Sequence, residues 1–126
     1  MAKKISKKKC PNYQFFIRPT IDALHQQGGS GANTEIYKKV IQITQLPEDI
    51  IDEMHNFTMT EVEYKLMWAR TYLKNYGAVE NSKQGVWVLT TKGAALAKQE
   101  NLDIKEIIRF TNNKNSTTKD LDSDFD

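Results

Sequence analysis

The sequence lacks most of what a catalytic, metal-binding or membrane-spanning protein needs. Cys10 is the only cysteine among 126 residues, so no disulfide can close within the chain. With His25 and His55 it makes three soft donors on three separate segments, short of the four Cys or His ligands of a structural zinc site. No apolar run approaches the roughly 18 residues that span a bilayer. The lysines after Met1 precede no apolar stretch of the kind that marks a secretory signal. Neither histidine has a Ser, a Cys or a second His at a spacing that pairs a nucleophile with a base. These absences predict a cytoplasmic chain without enzymatic activity, cofactor, metal or membrane contact.

The hydrophobic fraction of 39% is enough for one core, and the length suits one domain. The net charge of +2 hides an uneven layout. Lys3, Lys4, Lys7, Lys8 and Lys9 crowd the first nine residues, and Asp120, Asp122, Asp124 and Asp126 the last seven. Between them, residues 10–119 hold thirteen bases against twelve acids. The basic excess therefore belongs to the beginning of the chain and not to the body. The division that follows is a basic disordered arm over residues 1–11, a folded domain over 12–111 and an acidic disordered tail over 112–126.

Helical periodicity starts at Asn12 and runs to Gln27 on Phe15, Phe16, Ala23 and Leu24, with Pro19 inside as a kink. Gly28, Gly29 and Gly31 read as a flexible loop. Asn33 or Thr34 caps a second helix, with Ile36, Tyr37, Val40, Ile41 and Ile43 as its buried stripe. Pro47 opens a short third helix from Glu48 to Met54. Thr60-Glu61-Val62-Glu63 is a capping box that starts the longest helix, which ends at Tyr76 with Gly77 just beyond. The period then changes. Ala78-Val79-Glu80 and Val86-Trp87-Val88-Leu89 are strands around the turn residues 81–85. Thr90 or Thr91 caps a helix to about Gln99, and Asp103 to Phe110 gives a last one on Ile104, Ile107 and Ile108.

Helices followed at once by a β-hairpin define an α+β, mainly α class with a winged helix-turn-helix layout. The helix before the hairpin is then the recognition helix, the element that such proteins lay in the major groove. The run Trp68-Ala69-Arg70-Thr71-Tyr72-Leu73-Lys74-Asn75-Tyr76-Gly77, followed by Lys83-Gln84-Gly85-Val86-Trp87-Val88-Leu89-Thr90-Thr91-Lys92-Gly93, resembles the N-terminal domain of Mrr-type restriction endonucleases. Tyr13 and Pro19 also stand where that family has a Tyr and a helix Pro. The resemblance covers most of residues 12–98 and implies a winged-helix DNA-binding domain, usually joined to a nuclease. Gln84 stands where the family often has Arg, and Ala78 where it has Leu. After residue 98 only one helix and the acidic tail are expected, with no nuclease half.

On the long helix, Tyr64, Met67, Arg70, Thr71 and Lys74 lie on or near the face opposite the apolar stripe. With Lys83, Gln84 and Lys92 they are the candidate DNA-binding residues. Lysines neutralise phosphates, whereas Arg70, Thr71 and Gln84 suit base edges or a groove. Lys3, Lys4, Lys7, Lys8 and Lys9 form a sequence-blind phosphate anchor. Trp68 and Trp87 suit core or helix-to-wing packing. Glu63-Tyr64-Lys65 has the E-x-K spacing of metal-dependent nucleases, but that spacing needs a strand to bring both groups to one side. Double-stranded DNA is the expected partner. A homodimer through Ile104, Ile107, Ile108 and Phe110 of the last helix is a further expectation, as is a nuclease subunit on another chain. A protein-interaction module on the same scaffold is the alternative, favoured by Glu61, Glu63 and an exposed Tyr64.

Overall fold

The computed structural model describes residues 9–113, with side chains up to Phe110. The sequence-predicted acidic tail, most of the basic arm and the ends of the proposed three-part division fall outside the described residues. A 3-10 turn at Tyr13–Phe16 leads into α1 (Ile17–Gln26), followed by β1 (Ser30–Ala32), α2 (Asn33–Thr44) and α3 (Glu48–Ile51). The long helix α4 (Glu61–Tyr76) precedes β2 (Val79–Lys83), β3 (Val86–Leu89), α5 (Thr91–Ala97) and α6 (Ile104–Asn113). All three strands are antiparallel, in the order β1-β3-β2.

The first predicted helix is two pieces. Its opening is the 3-10 turn, and Pro19 falls in the first turn of α1, where a backbone N–H has no helical acceptor in any case. Pro19 therefore sits just after the join between the 3-10 turn and α1 rather than inside one continuous helix. Thr20, fully buried just after it, donates its hydroxyl to the Phe16 carbonyl at 2.7 Å. The predicted glycine loop is corrected as well: Ser30, Gly31 and Ala32 pair with Val88, Trp87 and Val86. Three residues with one short polar side chain and a glycine carry no alternation to betray a strand; the ladder comes from the neighbour.

The cap of α2 lies one residue before Asn33 and two before Thr34, the two predicted caps. Ala32 is the N-cap, and its N–H donates to the Glu35 carboxylate at 2.8 Å. The third helix stops at Ile51, not Met54; Met54 instead bridges to Thr60 across the loop that leads into α4. The capping box forms as read, with Glu63 N–H donating to Thr60 Oγ1 at 3.1 Å and Thr60 N–H donating to Glu63 Oε1 at 2.8 Å. Gly77, at φ 94°, ends the helix in a conformation that a side chain resists.

One core lies between α1, α2 and α4, built from Phe16, Ile17, Ile21, Leu24, Ile36, Val40, Val62, Leu66 and Leu73. Ile107 of α6 is buried in the same core, and Ile104 and Ile108 pack against it. Of the apolar stripe of α6, Ile107 is thus used within the chain, while Ile104 and Ile108 are partly buried and Phe110 is 40% exposed. Two contacts that no sequence pattern announces hold the ends of the domain. Arg18 pairs with Asp22 at 3.1 Å and donates to the carbonyls of Ala97 and Gln99 at the end of α5. At Gly93 a Cβ would meet the Ala78 backbone carbonyl, so α5 lies directly on the chain leaving α4.

Candidate nucleic-acid interface

The hairpin is longer and tighter than expected. β2 continues through Asn81 to Lys83, with a register shift between them, and Gln84-Gly85 makes the turn. Lys83 and Gln84 are both exposed at this tip. The tip is not free-standing. Asn33 N–H donates to the Gly85 carbonyl at 2.9 Å, and Asn33 Oδ1 accepts from Trp87 Nε1 at 2.8 Å. The first residue of α2 thus latches the hairpin through both its backbone and its side chain. Sequence reading treated Asn33 only as a cap and missed this role, since the partner residues lie more than fifty positions away.

Trp87 sits half buried between this latch and the long helix, as the packing expectation for it required. Trp68 is likewise half buried and meets Tyr72 edge-on at 6.3 Å, while Tyr13 stacks on Tyr72 at 4.7 Å.

The open face of α4 is less open than its helical period suggests. Arg70 turns its guanidinium over the Trp87 ring, 5.7 Å from the centroid. Burial there pulls its pKa down to about 10, below the usual guanidinium range. Thr71 donates its hydroxyl back to the Met67 carbonyl at 3.0 Å. Tyr64 is not an exposed ring: it stacks on His55 with centroids 3.6 Å apart and planes within 11°. His55 Nδ1 in turn lies 3.2 Å from a carboxylate oxygen of the buried Glu61, whose other oxygen lies 3.4 Å from Lys65 Nζ. Lys92 places its Nζ 3.9 Å from the Tyr76 ring centroid and 5.3 Å from that of Phe110. A cation over two aromatic faces at these distances is held by the rings. Of the predicted set, Lys74, Lys83, Gln84 and Lys92 are exposed, Lys92 with its ammonium over the two rings.

Between the start of α2 and the first half of α4 lies a groove of about 320 Å³. Tyr37, Leu66 and Met67 give it an apolar floor, Asn33 and Thr34 a polar rim, and Arg70 and Glu63 one charge of each sign. Burial first, and the Glu63 carboxylate second, push the Tyr37 phenol pKa up. The E-x-K spacing holds no catalytic pair. Glu63 is spent on the helix cap, and Lys65 donates to the Pro11 carbonyl at 3.3 Å. Among the described residues there is no group of three or more His, Cys, Asp or Glu placed as metal ligands. Cys10, expected at the edge of a floppy tail, is buried, and its N–H donates to Glu53 Oε1 at 2.9 Å. Burial raises its thiol pKa, which keeps it protonated.

Helix, strand, three helices and a hairpin, with the first strand paired to the last, make a winged-helix arrangement: α4 is the helix beside the hairpin and the Gln84-Gly85 turn is the tip of the wing. The chain belongs to the Mrr N-terminal domain family, whose profile matches residues 13–99. The match begins at the 3-10 turn and ends two residues beyond α5, so α6 lies outside it. No curated protein and no solved structure matches the chain. No helix among the described residues is long and apolar enough to cross a membrane.

Proposed function

We propose that this domain binds double-stranded DNA, with α4 against the major groove and the wing tip on the flanking backbone. The observation that carries this reading is the latched wing. Lys83 and Gln84 are exposed on a turn fixed to α2, and Lys74 is exposed in the last turn of α4, within a domain of the Mrr N-terminal family. Lys74, Lys83 and the lysines of residues 3–9 neutralise phosphates; Gln84 offers paired hydrogen bonds to a base edge. Met67 and Arg70 line the groove between α2 and α4 and supply shape and charge to whatever enters it. Within a restriction or defence system, such a domain acts as a specificity or regulatory module that serves a nuclease on a separate chain.

The test is a salt-titrated binding assay with modified and unmodified duplex DNA. With about five phosphates engaged, log K falls with log salt at a slope of about −4 to −5. Deleting residues 1–8 flattens that slope, and Lys83→Ala reduces it by roughly 1. Absence of binding at about 50 mM salt ends this reading. The second reading, a protein-interaction module, then takes over. It is favoured by the carboxylates around the start of α4 and by the fully exposed Phe57 beside them.

A further inference from the structure

Between Pro47 and Tyr64 the sequence has six carboxylates and neither lysine nor arginine. Three of them, Glu48, Asp49 and Asp52, are exposed on and just after α3. The loop that follows is stiff. Asn56 Oδ1 accepts from the N–H groups of Thr58 and Met59, each at 2.9 Å, and His55 N–H donates to the Met59 carbonyl at 2.8 Å. At its tip Phe57 is 102% exposed, and the nearby Met54 is 47% exposed. A rigid loop that holds a phenyl ring in water next to a run of acids presents an amphipathic, negatively charged surface.

The chain itself already enters this surface. Glu53 takes the N–H of Lys9 at 2.8 Å and that of Cys10 at 2.9 Å, and Lys9 Nζ lies 3.5 Å from Asp49. The preceding segment reads Met1-Ala2-Lys3-Lys4-Ile5-Ser6-Lys7-Lys8, four lysines around one β-branched apolar residue. Its composition is the complement of the surface in both charge and apolarity.

We propose that residues 1–8 dock in cis on this surface, with Ile5 against Phe57 and Met54 and the lysines along the exposed carboxylates. Reach allows it. Ile5 is four residues before Lys9, and Phe57 is four residues after Glu53, to which Lys9 is bonded. Each stretch spans up to about 14 Å from that shared anchor. A tether this short gives an effective concentration in the millimolar range, so the chain's own segment outcompetes a dilute second copy. Each exposed ion pair is weak, so the docked state is salt-sensitive. The docking stands apart from the DNA-binding reading. Where that reading holds, a duplex competes with α3 for the same lysines, and the arm is released as it binds.

The experiment compares backbone amide chemical shifts of the full chain with those of a chain lacking residues 1–8. Docking shifts the signals of residues 48–58 on deletion, and about 1 M salt moves the full chain's signals the same way. K3E/K4E/K7E/K8E, which leaves the described residues untouched, reproduces the deletion. Signals that stay in place on deletion overturn the proposal. Shifts that grow with protein concentration overturn it too, since a second copy is then the occupant. A duplex titration separates this from the function above. E48Q/D52N raises the full chain's affinity several-fold and leaves the deleted chain's unchanged. An equal rise in both overturns the competition, whereas no binding by either condemns only the DNA reading and leaves the amide shifts to decide the docking.

Discussion

At the residue scale, side-chain length decides what helical period cannot. Arg70 and Lys92 were both legible as outward cations from spacing alone, yet one lies over Trp87 and the other over Tyr76 and Phe110. Long stems fold back onto apolar surface wherever a ring offers it, and no i, i+4 pattern records which ring is near. Arg70 bears a testable cost. Burial lowers its pKa to about 10, so the folded state disfavours its charge relative to the unfolded chain at every pH below that value. The penalty is relieved only as pH rises through about 10 towards the ordinary value. Arg70→Met therefore raises stability by about 1 kcal/mol, or about 5 °C in Tm, as read by thermal unfolding. The gain stays flat from about pH 6 to pH 9, since both states keep the proton there. The same variant weakens duplex binding, which separates the stability effect from the functional one. Asn33 carries a second expectation. Asn33→Ala leaves Trp87 Nε1 without its acceptor and costs about 1–2 kcal/mol by chemical denaturation. Trp87→Phe costs about 1 kcal/mol through the same bond, so the two changes combine to less than their sum.

The elements divide by how local their causes are. Helix α4 was legible to the residue, because a capping box and a terminal glycine are written in adjacent positions. The hairpin was legible through its change of period, although its turn is tighter than the run of polar residues suggested. Strand β1 was invisible because its ladder is supplied by β3, some fifty-five positions away. The end of α3 was misplaced because Met54 continues the apolar pattern while bridging to Thr60 instead. At the start of α4, Thr60→Ala removes the acceptor for Glu63 N–H and costs about 1 kcal/mol. Thr60→Ser restores most of it. Urea denaturation of the pair checks this, and a loss by both alike would mean that the cap contributes nothing.

Over the whole molecule, charge is segregated in a way that net charge conceals. Carboxylates gather around α3 and the start of α4, whereas Lys74 and Lys83 lie at the far end of α4 and on the wing. The fold class and the family were legible, since the motif lies in two runs, 68–77 and 83–93, close together in the sequence. The candidate site was legible only as a surface: its groove needs α2 and α4 side by side, and the packing of α6 on α4 buries Ile107 and part of Ile104 and Ile108. One further consequence belongs to the double bond between Asn33 and the hairpin. A wing tied to the first residue of a core helix cannot flap independently, so its amides share the opening of the bundle. Hydrogen–deuterium exchange of β3 should then be as slow as that of α1 and α2, and quicken selectively in Asn33→Ala. On the DNA-binding proposal, a wing so fixed loses little ordering entropy on meeting a duplex, and tightness is then set by how slowly it lets go.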